Sequence, residues 1–574
     1  MAVAFDELRQ RADARWQDLT AGPKAWIRVG GGVSGEAAGC DAVIEAFEKA
    51  IADTGAEAFV TRVGMLGLCY AEPLVDIAMP GGPRVYYANV EPDQVAKILD
   101  SHVVRGQPDK SLAFAYSARP DGNGIDGITP LKDLPDIAAQ TRIVTRNFGR
   151  IDPTDLLQYI ANGGYAGLDK ALESMSPDQV LEEVKDSGLR GRGGAAFPTG
   201  LKWSFLSGSS APVKYILCNA EEGDPGAFND KAILEADPHT LLEGLILAGY
   251  ATGATKGFIF IRQGHNEPIN LARKSVTDAY EAGLLGEHIL GSEFSYEAEV
   301  VLTGDSYVAG EETALMEAIE GKRAQPRYRP PFPAQAGLWQ KPSNINNVKS
   351  LAFVPQIIAR GSEWFKSIGT EKSTGTALVC LSGNIQRPGL YEVPMGLTIR
   401  QVLEDVGGGA PNGKTIKVIQ TGGPLGGVLG EEAFDVEIDF DAMSAAGAIL
   451  GAGGIIVGDE DVSVVDLTRA LIAFNQFEAC GKCFPCRLGT THMLETLDRV
   501  CMNRANANDF ELMERIGNSM KVGSLCGHGQ LGYNPILSAV KYFKDEFDAS
   551  IQDHAGAVGH FPDGSMITPT RTRP

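Results

Sequence analysis

Three cysteines at two-residue spacings, Cys480, Cys483 and Cys486 in ACGKCFPCRLGT, are joined by Cys526 in SLCGHG from a distant stretch. Three thiolates on one tight loop and a fourth from elsewhere can hold the iron corners of a [4Fe-4S] cubane. Tetrahedral zinc accepts the same four ligands, but zinc sites usually pair two CxxC knuckles, so the three-plus-one array favours the cluster. Cys501, between them among apolar neighbours, reads as core. A second constellation, GLRGRGGAAFPTGLKW over residues 188–203, combines glycines with Arg190, Arg192 and Lys202. Glycines let backbone N–H groups close on a phosphate or a planar ring, and the cations add charge. This is not a GxGxxG fingerprint, and a structural turn is the competing reading. A third stretch, CNAEEGDPGAFNDK, sets Glu221, Glu222 and Asp224 directly after an expected strand, where α/β proteins place ligand-contacting side chains. A solvated run of charge would look the same.

Positioning such groups takes several domains, since 574 residues exceed what one core organises. From residue 145 helical patterns alternate with β-branched runs: a helix at 175–187, a strand at VKYILCNA, a helix at PHTLLEGLILAGYATGA, strands at GFIFIR and EAEVVLTG. That grammar predicts a parallel sheet with its ligand at the strand C-terminal edge. Residues 376–460 change to short strands with one crossing helix, TIRQVLEDV, which fits a β-grasp-like module. Residues 465–553 are helical by period and carry the dense cysteines. Ahead of all this, residues 24–104 read as a small α/β domain after a charged opening helix, and 106–141 as a polar, turn-rich linker or arm. The net charge of −22 offers nothing to a phosphate backbone, so nucleic-acid binding is excluded. The best apolar run, Ala445 to Gly458, is too short and glycine-rich to span a membrane, and no export signal opens the chain, so a cytoplasmic location is expected. Nine cysteines, sparse except at one place, suggest metal rather than disulfides.

The motifs above, with GDSYVAGEETALMEAIEGKRAQPRYRPPFPAQAGLW and KPSNINNV, occur in an order and spacing that resembles the NADH-binding flavoprotein of respiratory complex I, the 51-kDa type. The same module serves soluble NAD-linked formate dehydrogenases and hydrogenases, often behind a thioredoxin-like [2Fe-2S] domain that residues 24–104 resemble. The resemblance implies an α/β multidomain chain: a thioredoxin-like domain (1–110), a linker (111–144), a Rossmann-like FMN/NADH domain (145–370), a β-grasp SLBB domain (371–460), a helical [4Fe-4S] bundle (461–555) and a tail (556–574). It implies FMN held by Gly191, Arg192, Gly193, Gly194, Lys202, Asn219, Glu221, Tyr307, Gly310, Glu311, Asn346 and Asn347. Glu222 would stand near flavin and nicotinamide as the catalytic carboxylate. Phe197, Phe205 and Phe332 would clamp the adenine of NAD(H), with Asp224 and Glu312 also on the nucleotide and Glu312 at its ribose. The cluster would take Cys480, Cys483, Cys486 and Cys526. Expected partners are a [2Fe-2S] 24-kDa-type subunit and a substrate-specific catalytic subunit, with a complex I peripheral-arm subunit or a non-catalytic scaffold as rival readings. The departures in the FMN motifs are mild: Glu221 for the usual Asp, Gly223-Asp224 for Ser-Glu, and Ser343 opening SNINN. In the N-terminal domain they are severe. Residues 30–34 contain no thiol, Met65 precedes Cys69, Cys40 lies beyond the motif, and only Cys69 stands at a ligand position. That domain is expected to have lost its cluster.

Overall fold

A computed structural model describes residues 5–118 and 124–549, and the expected tail at 556–574 lies outside the described residues. The chain divides into two compact units, Met1–Val462 and Ser463–Pro574.

The first unit holds three sheets. Its N-terminal sheet contains β1 (Ala25–Gly30), β2 (Ala58–Val63), β3 (Val75–Ala78), β4 (Arg84–Tyr87) and β5 (Ala113–Ser117), in the order β2-β1-β3-β4-β5. β1 and β2 run parallel, joined through the helix Cys40–Thr54, and β3 and β4 follow antiparallel, which is the thioredoxin-like arrangement. Every residue of β1 is buried, so its one charge must be paired: the Arg28 guanidinium sits 2.9 Å from Asp76. β5 corrects the reading of 106–141 as linker. Turn-forming residues flank AFAYS and mask five residues that complete the open edge of β4. The helix Phe5–Ala21 also departs from the expected grouping. Its Phe5, Leu8 and Ala12 join the core of the central domain, and Arg15 reaches Asp155 at 3.2 Å.

The central sheet, β6 (Tyr215–Ala220), β7 (Lys256–Arg262), β8 (Glu297–Thr303) and β9 (Ser343–Asn347), is parallel throughout in the order β8-β7-β6-β9. The helices Pro238–Thr252 and Val348–Arg360 are buried almost wholly against it, which explains why PHTLLEGLILAGYAT is apolar on nearly all sides. β9, read from sequence only as a polar motif, is an edge strand. The third sheet contains β10 (Thr376–Gly383), β11 (Gly389–Pro394), β12 (Ile416–Thr421), β13 (Val428–Gly430) and β14 (Gly454–Asp459), in the order β11-β10-β14-β12-β13. The end of the Ala445–Gly458 run forms β14, the central strand of this β-grasp sheet. Among the described residues no helix is long and apolar enough to cross a membrane.

Glu392 of β11 fastens the connecting segment to the third sheet. Fully buried, it accepts the N–H groups of Ile143 (2.9 Å), Val144 (3.1 Å) and Thr145 (2.8 Å) and the hydroxyls of Thr145 and Thr376. Glu392→Ala strands those donors without water, so about 3 kcal/mol of stability should be lost, read as a lower urea midpoint at unchanged slope.

The second unit is helical: Val464–Phe477, Phe484–Cys501, Ala507–Gly523, Gly527–Gln530, Asn534–Tyr542 and Lys544–Asp548. Ile472, Met493, Leu497, Met513 and Met520 are buried in it. Gly489 permits a close helix crossing, since a Cβ there would stand 2.4 Å from the Met520 sulfur.

Candidate cofactor sites

The bond from Gly191 N–H to Phe197 O (2.8 Å) and the bridge between Arg190 and Pro198 close residues 190–198 into a tight loop. Gly193 rests on Asn347, where an added Cβ would lie 2.9 Å from the Asn347 Cβ, and Gly194 holds φ +118, which side chains rarely adopt. Asn219, near the end of β6, donates to Gly310 O at 2.8 Å. Gly310 lies against Glu221, which pairs with Arg262 at 3.1 Å. The loop, Asn219, Glu221, Gly310 and Asn347 therefore gather at the carboxyl ends of β6 and β9, where parallel sheets bind ligands. Gly193 lets the loop backbone sit directly on Asn347, and the glycine-rich loop backbone beside the Asn219 carboxamide is the donor chemistry that would hold FMN.

Lys202, on the helix Thr199–Ser207, is hydrogen-bonded to Glu312, which also has Arg329 at 3.5 Å. These cations hold the Glu312 carboxyl below its ordinary value despite burial. Glu311 caps the helix Glu312–Ile319 through Thr313 and Ala314 N–H, both at 2.9 Å, and also pairs with Arg329. The Tyr307 hydroxyl donates to Asp224 at 2.6 Å, and Asp224 packs on Gly423, where a Cβ would meet it at 2.4 Å. Burial pushes the Asp224 carboxyl up. Phe197 and Phe205 have ring centres 6.3 Å apart and, with Phe332, are 44%, 54% and 54% exposed, so their faces are open to a planar partner. The helix Pro333–Ala336 that follows Phe332 packs on the helix bearing Phe205.

Two expected ligands are committed elsewhere. The Arg192 guanidinium is buried, bonded to Thr374 O (2.7 Å), Arg190 O (2.9 Å) and Thr376 O (3.2 Å), and stacked on Phe353 and Phe440. Burial and neighbouring Arg190 bring it down to about 9. Its charge serves the junction with the third sheet, not the cradle. The Asn346 carboxamide lies beneath the loop, accepting from Trp203 and donating to Asn344, both at 3.0 Å.

Glu222 has an unusual backbone, φ +30, and its carboxylate accepts Asp230 N–H (2.7 Å) and Lys231 N–H (2.8 Å), capping the helix Asn229–Ala236. Burial and then Asp230 push it up to about 7. A carboxyl raised above its unfolded value stabilises the fold fully below about pH 4.5 and loses that contribution as pH rises through about 7. The thermal midpoint should thus fall between about pH 5 and pH 8, and Glu222→Gln should flatten the slope. An unaltered slope in the variant would exclude Glu222 as its source.

Asp230 and Lys349 form a buried pair at 2.8 Å, with Asn229 on the same ammonium at 2.6 Å and Asn347 on the same carboxylate at 2.6 Å. Sequence reasoning passed over both charges, although Asp230 lies inside CNAEEGDPGAFNDK and Lys349 directly follows KPSNINNV.

In the second unit Cys483 ends the loop that begins at Cys480 and stands just before the helix Phe484–Cys501; Cys486 lies in its first turn, and Cys526 precedes the helix Gly527–Gln530. Burial, and then Cys483, Cys526 and Cys480 beside it, push the Cys486 thiol up to about 12. Four thiols in mutual reach fit an iron–sulfur cluster that binds them as thiolates. Among the described residues no three His, Cys, Asp or Glu side chains close tightly enough around a single ion.

Comparison with known proteins matches residues 184–356 to the Nuo51 FMN-binding domain, 378–429 to the SLBB domain and 466–550 to the NADH-ubiquinone oxidoreductase-F iron-sulfur binding region. The NADP-reducing hydrogenase subunit HndC of Solidesulfovibrio fructosivorans is 47% identical over 414 residues, covering 72% of this chain and 84% of that one. The F 2 subunit of the NADH-quinone oxidoreductase of Rhizobium meliloti is 43% identical over 411 residues, 72% of this chain and 98% of its own. A chain of the NAD+-reducing [NiFe]-hydrogenase in its H2-reduced state superposes with a TM-score of 0.64 at 26% identity, over 96% of this chain and 91% of that one.

Proposed function

This chain belongs to the family of FMN- and [4Fe-4S]-binding NADH oxidoreductase subunits, the complex I 51-kDa type, and on that premise we propose that it is the diaphorase subunit of a larger NAD-linked redox complex. The observation that carries this reading is the glycine loop closing on the ends of β6 and β9. Bound FMN supplies an acceptor that takes two electrons as hydride and returns them singly, which a [4Fe-4S] cluster can relay. The chain's part is placement. The loop backbone at Gly191, Gly193 and Gly194, with the side chains of Asn219 and Asn347 beside it, would hold the flavin, and Lys202, paired here with Glu312, would supply charge for anionic groups. Tyr307, Gly310, Glu311 and the Glu221–Arg262 pair hold the rim. Phe197, Phe205 and Phe332 offer ring faces to the adenine. Anaerobic addition of NADH should bleach the flavin of the purified chain; a colourless chain would favour the scaffold reading.

Nucleotide choice turns on Glu312. Its carboxylate can accept from a ribose 2′-hydroxyl and repels a 2′-phosphate, but Lys202 and Arg329 already offset much of that repulsion. Glu312→Gln removes the repulsion and releases Lys202, while Arg329 keeps its pair with Glu311. The NADPH/NADH ratio of kcat/KM should rise about tenfold or more, with FMN content unchanged. A ratio that does not move would assign the choice elsewhere.

For partners, a [2Fe-2S] 24-kDa-type subunit and a substrate-specific catalytic subunit complete the electron path. The thioredoxin-like extension favours a soluble complex over the complex I peripheral arm. Within that extension one thiol, Cys69, cannot complete a [2Fe-2S] shell, so this module carries no cluster.

A further inference from the structure

The loops of the N-terminal module that lack their thiols meet the central domain at a cluster of buried carboxyls. Resting on the reading above that this module has no cluster, we propose that Glu235 is a buried proton-binding carboxyl linked to the charge in the flavin cradle through the helix that Glu222 caps, with Glu72 a separate buried carboxyl beside Cys69. Glu235 is 3% and Glu72 7% exposed, and each keeps one carboxylate oxygen, Glu235 Oε1 and Glu72 Oε2, without a hydrogen-bond partner. Leaving an ionised oxygen so enclosed is costly, and a bound proton removes the charge.

The surroundings are those of the altered loops. Ser34 Oγ donates to Met65 Sδ at 3.5 Å, and Ser34 is also in hydrogen-bonding reach of Glu72 and of Cys69. Cys69 in turn senses both Glu72 and Glu235. The other oxygen of Glu235 accepts Val33 N–H at 3.1 Å, and it approaches so closely that a Cβ on Gly32 would stand 2.8 Å away. Around Glu235, Glu267 and Glu222 oppose ionisation and Lys231 favours it, while Arg62 is engaged by Glu267 (2.9 Å), Glu36 (2.7 Å) and Asp41 (3.2 Å). Burial dominates, lifting Glu235 to about 8 and Glu72 to about 7.

The link to the cradle is the helix Asn229–Ala236. Glu222 accepts its first N–H groups and Glu235 sits in its last turn, about 8 Å further along the axis at the usual rise per residue. Hydride arriving from NADH brings two electrons and one proton, hence one net negative charge, into the cradle. A proton from solvent then binds the Glu235 carboxylate. Departure of the two electrons to the cluster, and of the hydride's proton to solvent, restores the charge and releases the proton from Glu235.

The test uses the full chain with its flavin. Redox difference infrared spectra at about pH 8 should show a protonated-carboxyl C=O band that shifts in D2O and is lost in Glu235→Gln, and proton uptake per electron pair should fall by several tenths in that variant. Glu235→Asp should restore a displaced band, so the site can be read even if the first variant folds poorly. Carboxyl bands and proton uptake unchanged in the variants would overturn the proposal. A pH-difference spectrum of the oxidised chain against Glu235→Gln reads the site without flavin chemistry: absence of a carboxyl titration near pH 8 that the variant removes overturns the site itself. Failure of the underlying reading appears separately, as a [2Fe-2S] signal in the electron paramagnetic resonance spectrum of the reduced chain.

Discussion

Cys526→Ala should reduce the iron of the purified chain from about four atoms to about none while leaving FMN in place. On the proposed ligand set Cys526 would contribute the one thiol from outside the 480–486 loop, and three thiols would leave one iron corner open to water and oxidation. NADH should still bleach the flavin of the variant and drive a direct two-electron acceptor, but one-electron transfer onward to partner subunits should fall by orders of magnitude. Cys501→Ala is the matched control and should keep its iron, because Cys501 ends the helix Phe484–Cys501 and is held by burial and Asp466 as a thiol, at about 11. Zinc in the native chain, or full iron in the Cys526 variant, would refute the assignment.

Lys349→Met should be the most destabilising single change near the flavin cradle. The ammonium is 3% exposed and its partner Asp230 4%, so removing one charge leaves the other buried and uncompensated, a cost of about 3–5 kcal/mol. The damage should extend to FMN retention, because Asp230 also holds Asn347, the residue under Gly193. Adding Asp230→Asn to Lys349→Met should recover much of the loss, since the stranded carboxylate is then gone. Denaturant midpoints of the two single variants and the double variant measure this coupling, and strict additivity would show that the pair does not act as a unit.

The alternation that exposed the central sheet was strong because Ile, Leu and Phe fill β6 and β7 while leucines fill the helix between them, the composition of strands and helices buried on both sides. β9 escaped for the opposite reason. Ser-Asn-Ile-Asn-Asn has poor strand propensity and pairs with β6 because its amides find specific partners in Trp203 and Asp230, which no local pattern reveals. The four cysteines, the glycine loop and the phenylalanines were legible because their residue types are uncommon in such density. The fate of Arg192 was not. A guanidinium beside a glycine loop looks like a ligand for phosphate, and only the carbonyls of Thr374 and Thr376, nearly two hundred residues away, show where it is spent. The carboxyls at Glu72 and Glu235 were equally hidden, since burial of a glutamate is a property of the packing of two domains.

The placement of the helix Phe5–Ala21 bears on how the protein is made. Phe5, Leu8 and Ala12 leave the ribosome well before the rest of the core they enter, which includes Tyr159, Ile160 and Leu168, synthesised some 150 residues later. At about 5–20 residues per second that is a delay of roughly 10–30 s, during which the thioredoxin-like module can fold while the opening helix has nothing to dock against. The module is in effect inserted between the two halves of its host's core, so the leading segment must be shielded, by chaperone or by its own charged face, until the central domain closes over it.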